Sequence, residues 1–92
     1  MFTTTKLSAM PYAQATVCKF DNGDIILVSY VTEVASIDSQ GWLSIRGLYS
    51  MTTRKHIGAF VKEYASLDFQ TAKKLYMDGY QYNIHTGEIV AV

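Results

Sequence analysis

Apolar and polar residues alternate with the period of a β-strand through the first half of the chain, then switch near residue 52 to the longer period of an amphipathic helix. The first strand-like run is Gln14 to Phe20, with Ala15, Val17 and Lys19 on one side and Thr16, Cys18 and Phe20 on the other. Asp21-Asn22-Gly23-Asp24 follows, and Asn-Gly predicts a type I′ hairpin turn because both residues tolerate positive φ. Ile25 to Val31 is apolar on both faces, which predicts a central strand covered on both sides. Glu33 to Asp38 is a third run, with Val34 facing opposite Ala35 and Ile37. Ser39-Gln40-Gly41 predicts a turn, and Trp42 to Arg46 a fourth strand of the same meander.

From residue 52 to residue 65 the spacing predicts a helix. Ile57, Phe60, Val61 and Tyr64 fall at i, i+3, i+4 and i+7, which makes one buried stripe. Thr52 or Thr53 is the expected N-cap. Arg54, Lys55 and Lys62 are left to water, with His56 at the edge of the stripe. A second helix is predicted over Asp68 to Asp78, with Phe69, Ala72, Leu75 and Tyr76 inward and Lys73 and Lys74 outward. Gly79 sits where a left-handed stop belongs. Before the first strand, Thr4 or Thr5 is expected to cap a short helical turn over KLSAM that Pro11 ends. The tail from Tyr80 returns to strand character, turns at Thr86-Gly87, and places Glu88 to Val92 against a sheet edge. Segregated strands and helices predict one α+β domain over residues 1–92. Its expected architecture is an antiparallel β-meander sheet of four to five strands covered by two to three helices.

Composition narrows what such a domain does. Ninety-two residues give a thin core, burying about 60–65% of the surface the unfolded chain exposes. Eight basic and eight acidic residues cancel, which argues against a general nucleic-acid binder, whose affinity comes from neutralising many phosphates. The polarity is local. Arg54, Lys55, Lys62, Lys73 and Lys74 against Glu63, Asp68 and Asp78 leave residues 52–78 at +2, and the rest of the chain at −2. Solvated helix faces account for most such patterns; the functional reading is a basic surface for phosphate and an acidic hairpin edge for basic protein. The lone cysteine, Cys18, excludes an internal disulfide. No signal-peptide pattern is visible, and Ile25 to Val28, the longest uncharged apolar run, is far too short to span a bilayer. A soluble cytoplasmic protein with no membrane partner is expected.

Candidate chemistry is sparse. Two histidines and one cysteine do not make a structural zinc site of the usual spacing. Cys18 lies on a strand, away from any helix N-terminus that would lower its pKa, and reads as a small apolar side chain. Asp21 and Asp24 bracket a turn, where aspartate serves backbone bonding rather than acid–base work. The glycines spell neither a dinucleotide fingerprint nor a P-loop. Gly58, inside a helix at a cost of about 1 kcal/mol relative to alanine, predicts close packing. No enzyme, cofactor, metal or free small-molecule substrate is expected.

As a whole, the run ATVCKFDNGDIILVSYVTEVASIDSQGWLSI followed by YSMTTRKHIGAFVKEY resembles a family of small phage-borne proteins. That pattern is a strand, an Asn-Gly turn, a strand leading into S-Y-x-T-x-V-A, and a Y-S-x-T-T-x-x-H helix start. Within the group the chain is similar to type I-F anti-CRISPR proteins. The resemblance implies binding to Cas proteins of the crRNA-guided type I-F (Csy) surveillance complex in the host cytoplasm, with crRNA contacted and target DNA denied its hybridisation surface. It carries no catalytic residues over. The contact residues expected on charge are Arg54, Lys55 and Lys62 for phosphate, and Asp21, Asp24 and Glu33 for basic protein. The competing reading is a small phage DNA-binding accessory or regulatory protein that uses the basic 52–65 helix.

Overall fold

Seven strands pair in sequence order in the computed structural model, which describes residues 1–92. They are β1 (Phe2–Thr5), β2 (Ala15–Phe20), β3 (Ile25–Ser29), β4 (Thr32–Ile37), β5 (Trp42–Ile45), β6 (Tyr80–Asn83) and β7 (Ile89–Ala91). Every neighbouring pair is antiparallel. Two helices, α1 (Met51–Ala65) and α2 (Phe69–Met77), leave the sheet after β5 and return the chain beside it at β6. The fold is α+β, as the pattern predicts. The sheet has more strands than expected, and the helices number two.

The extra strands come from the ends of the chain. Phe2–Thr5 is extended and pairs with β2, Thr4 opposite Cys18, so the threonines expected to cap a helical turn lie in a strand, and the KLSAM segment after them makes a single turn, Met10 N–H donating to the Leu7 carbonyl (3.1 Å), rather than a helix. Threonine serves as a helix cap and is also a good strand residue, and the free edge of β2 decides between the two. At the other end, β6 and β7 form a short hairpin. That hairpin is the one that the strand character from Tyr80 and the turn at Thr86-Gly87 predict, with β7 at the sheet edge.

Loop chemistry sets the register. Phe20 N–H donates to the Asp24 carbonyl (2.9 Å) and Gly23 N–H to that of Phe20 (3.0 Å). Gly23 alone has positive φ in this turn, +101°, so the connection is a three-residue loop closed by glycine rather than the expected type I′ turn. The β4–β5 turn repeats the arrangement, with Gly41 at φ +95°. Between Leu27 and Val28 the β3–β4 register shifts by one residue, leaving Val34 and Ala35 both buried, the two-against-one count of a β-bulge.

One face of the sheet is covered. Val17, Leu27, Ala35 and Ile37 meet Ile57, Phe60 and Val61 of α1 in a single core that also takes in Leu7. Only 18 of the 92 residues are buried, so the core is one layer between sheet and helices. The expectation that β3 is covered on both sides is therefore corrected: Leu27 enters the core, whereas Ile26 and Val28 point to the opposite face, which no helix covers. Neither helix is long and apolar enough to cross a membrane.

Candidate functional site

Helix α1 starts at Ser50, whose hydroxyl accepts from the Thr53 amide (3.2 Å); the expected caps, Thr52 and Thr53, lie inside the helix. Ile57, Phe60 and Val61 face the core as the stripe predicts, with Tyr64 half-buried beside them. Residues 54, 55, 58 and 59 occupy another face, turned toward α2. Asp68 caps α2 by accepting from the Thr71 amide at 2.7 Å. That bond holds its carboxyl below the usual aspartate range. Phe69, in the first turn of α2, lies against Gly58: a methyl added there would sit 3.3 Å from the Phe69 Cβ. The glycine lets the two helices approach.

The approach creates a groove of about 540 Å³. Half-buried Met10, Gly58, Ala59 and Phe69 form its apolar floor, and Arg54, Lys55 and Lys73 stand around it. No carboxylate lines it. The chain's three ion pairs join Met1 to Asp21, Arg46 to Glu33 and Lys74 to Asp78, so all three groove cations are unpaired. Arg54 Nε is buried without a hydrogen-bond partner. A buried donor left unmade costs about 1–3 kcal/mol, more for a charged group, and a phosphate or carboxylate oxygen in the groove would satisfy it.

A second cavity, about 310 Å³, lies between α2 and strands β5 and β6. Leu43, Leu75, Tyr76 and Tyr80 line it with one charged residue, Arg46. That guanidinium is already 2.8 Å from Glu33.

Elsewhere a serine and a histidine meet. Ser29 Oγ is 2.8 Å from His56 Nδ1 and 3.2 Å from Thr53 Oγ1. The pairing is that of a nucleophile and base, but Ser29 is 2% and His56 1% exposed, which leaves a substrate no approach. Sequence reasoning placed His56 at the edge of the stripe, and the structure corrects this: the ring is enclosed, and burial pushes its pKa below the usual histidine value. No three His, Cys, Asp or Glu side chains converge as metal ligands would.

Of the six residues singled out by charge, the structure brings two together. Arg54 and Lys55 share the groove. Lys62 is exposed two turns further along α1 and does not line it. Asp21 lies 3.6 Å from the α-amino group of Met1, and Asp24 accepts the Ser39 and Asn22 groups that brace its turn. Glu33 sits at the opposite end of β4 from that turn and is held by Arg46. These three carboxylates form no single free acidic surface. Lys73 completes the groove and was legible only as an outward position of α2; the signal for it was Gly58, which marks where the helices touch.

No match was found among curated proteins, and none among solved structures. A model of a family of unknown function, DUF8033, matches residues 3–79, from β1 through the groove to the end of α2, and the chain therefore belongs to that family.

Proposed function

We propose that this protein is a stoichiometric, non-enzymatic inhibitor that binds the type I-F crRNA-guided surveillance complex in the host cytoplasm and blocks target DNA hybridisation. The choice of partner rests on the resemblance of residues 15–45 and 49–64 to type I-F anti-CRISPR proteins. The choice of surface rests on one observation: Arg54, Lys55 and Lys73 stand unpaired around an apolar groove, and Arg54 Nε has no acceptor.

A neutral chain with a local cationic groove suits a short contact with a few phosphates beside protein, rather than a long track along a duplex. Arginine meets phosphate oxygens in a fork, and the apolar floor excludes the water that would otherwise weaken the pairing. The crRNA backbone within a Cas complex presents such phosphates. Asp21, Asp24 and Glu33 remain candidate contacts for basic Cas protein, each now understood to exchange a partner already held within the chain.

Co-purification with a type I-F complex, followed by target-DNA binding, tests the proposal. Inhibition is expected to saturate near equimolar inhibitor and not to deepen with incubation time. Arg54→Glu and Lys73→Glu should weaken binding more than Lys62→Glu does, and the difference should shrink as salt screens the contacts. Substoichiometric, time-dependent inactivation would overturn the binding mechanism. A shift of bare duplex DNA at physiological salt, with no capture of the Cas complex, would favour the regulatory DNA-binding reading instead.

A further inference from the structure

The groove between α1 and α2 offers two kinds of surface side by side. Met10, Met51 and Phe69 give it an apolar lining, and Arg54, Lys55 and Lys73 surround that lining with charge of one sign. None of the three cations has an ion-pair partner in the chain, and Arg54 Nε is buried without an acceptor. Leaving a buried guanidinium nitrogen unbonded is costly, so an anion in the groove would relieve the free chain of that cost. An inorganic ion would satisfy the donor and leave the apolar lining wet. The occupant that suits both parts is anionic at one end and flat and apolar at the other.

Size narrows the choice. A volume of about 540 Å³ lies within the range of pockets that take small molecules. Nine residues line the groove, against the about 20–30 on each side of a standard protein interface. A partner helix or domain would have to cover far more of the chain than this, whereas a single nucleotide would not.

We infer that the groove takes one unpaired nucleotide of a single-stranded RNA, its base laid on the apolar lining and its flanking phosphates held by Arg54, Lys55 and Lys73. Base faces pack on aromatic rings, and methionine sulfur makes favourable contacts with rings. Gln70, also in the lining, carries an amide that both donates and accepts, as a base edge requires. Arginine holds phosphate through a fork that lysine lacks. A duplex presents phosphates but keeps its bases stacked inside, and so would leave the lining uncovered. The chain's net charge of zero suits a contact with two or three phosphates rather than a long track. The geometry carries the single strand; the choice of RNA rests on the proposed binding to a crRNA-guided complex. Within that reading, the crRNA contacted is an unpaired stretch, and holding it there withholds it from target DNA.

Amide chemical-shift titration of the purified, isotope-labelled chain with single-stranded tetraadenylate RNA tests the inference. Saturable shifts are expected at the groove residues of both helices, Met51, Arg54, Gly58 and Phe69 among them. Ribose phosphate, an anion without a base, and adenosine, a base without an anion, should each bind at least about tenfold more weakly. Arg54→Lys keeps the charge and loses the fork, and should weaken RNA binding about tenfold. Lys74→Gln, beside Lys73 in sequence but paired with Asp78 outside the groove, should bind as the wild type does. Log affinity should fall with log salt at a slope near about −2, as three phosphates of a single strand require. Ribose phosphate binding as tightly as the RNA, an Arg54→Lys chain that binds normally, or equal affinity for a hairpin duplex would overturn the inference. So would hexaglutamate displacing the RNA at equal concentration, which would make the occupant an acidic peptide. The two readings fail separately: RNA binding without capture of a Cas complex removes the proposed partner and leaves the nucleotide site, whereas Cas inhibition by a chain that binds no RNA overturns the site alone.

Discussion

Mild acid, above the range where carboxylates titrate, should destabilise this protein through one ring, His56. The imidazole is 1% exposed. Its one hydrogen-bond partner is the Ser29 hydroxyl, itself bonded to Thr53, and the Tyr30 ring lies 6.0 Å away. A neutral hydroxyl serves either state of the ring, so the bond to Ser29 does not select against the cation. Burial does, because the charged form gives up hydration and meets no carboxylate in return, and the pKa is lowered from its usual value of 6.5. Below about pH 6.5 the unfolded chain takes up a proton that the fold refuses, so stability falls with falling pH until the folded pKa is reached. Above that window this group contributes no pH dependence. The slope is at most about 1.4 kcal/mol per pH unit for one proton, a sizeable part of the about 5–15 kcal/mol that a small domain has in total. Urea melts of the wild type and of His56→Gln, between about pH 8 and about pH 5, isolate the term. Glutamine retains a polar contact for Ser29 and does not titrate. The wild type should lose stability relative to the variant as pH falls. Parallel profiles would refute the reasoning, and a relative gain at low pH would mean that an anion faces the ring.

Three further outcomes follow from the packing. Leu27→Ala removes a side chain with no exposure from the middle of the core and should cost about 2–5 kcal/mol in denaturant melts; a loss below about 1 kcal/mol would mean the layer had been misplaced. Ser50→Ala deletes the bond to the Thr53 amide and should cost about 1 kcal/mol, whereas Thr52→Ala should leave thermal stability nearly unchanged. Gly58→Ala gains helix propensity of about 1 kcal/mol but sets a methyl 3.3 Å from the Phe69 Cβ, so the measured gain should fall well short; recovery of the full amount would show that α1 and α2 do not press together there.

Local pattern was enough to determine the strands from residue 15 to residue 45, both helices and the α+β class, because each depends on a period that a few neighbouring residues display. It also located Arg54 and Lys55 on the wet side of α1, and the close approach at Gly58. Tertiary contact decided the rest. The edge of β2 made a strand of Phe2–Thr5, whose threonines suit a strand as well as a cap. Two-sided apolarity in Ile25–Ser29 was visible in the sequence, but whether a layer covers each side depends on where α1 and α2 cross, and both cross the same face. His56 is enclosed for the same kind of reason: Ser29, twenty-seven residues away, supplies the polar atom that lets a histidine be buried. The groove was half legible. A helical wheel places Arg54 and Lys55 on one face, but Lys73 joins them only when two helices pack, and Lys62, with the same charge on the same helix, is carried away from them by its position along the axis. Charge is a property of single residues, whereas a site is a property of the distances between them, and those are set by packing between elements remote in sequence.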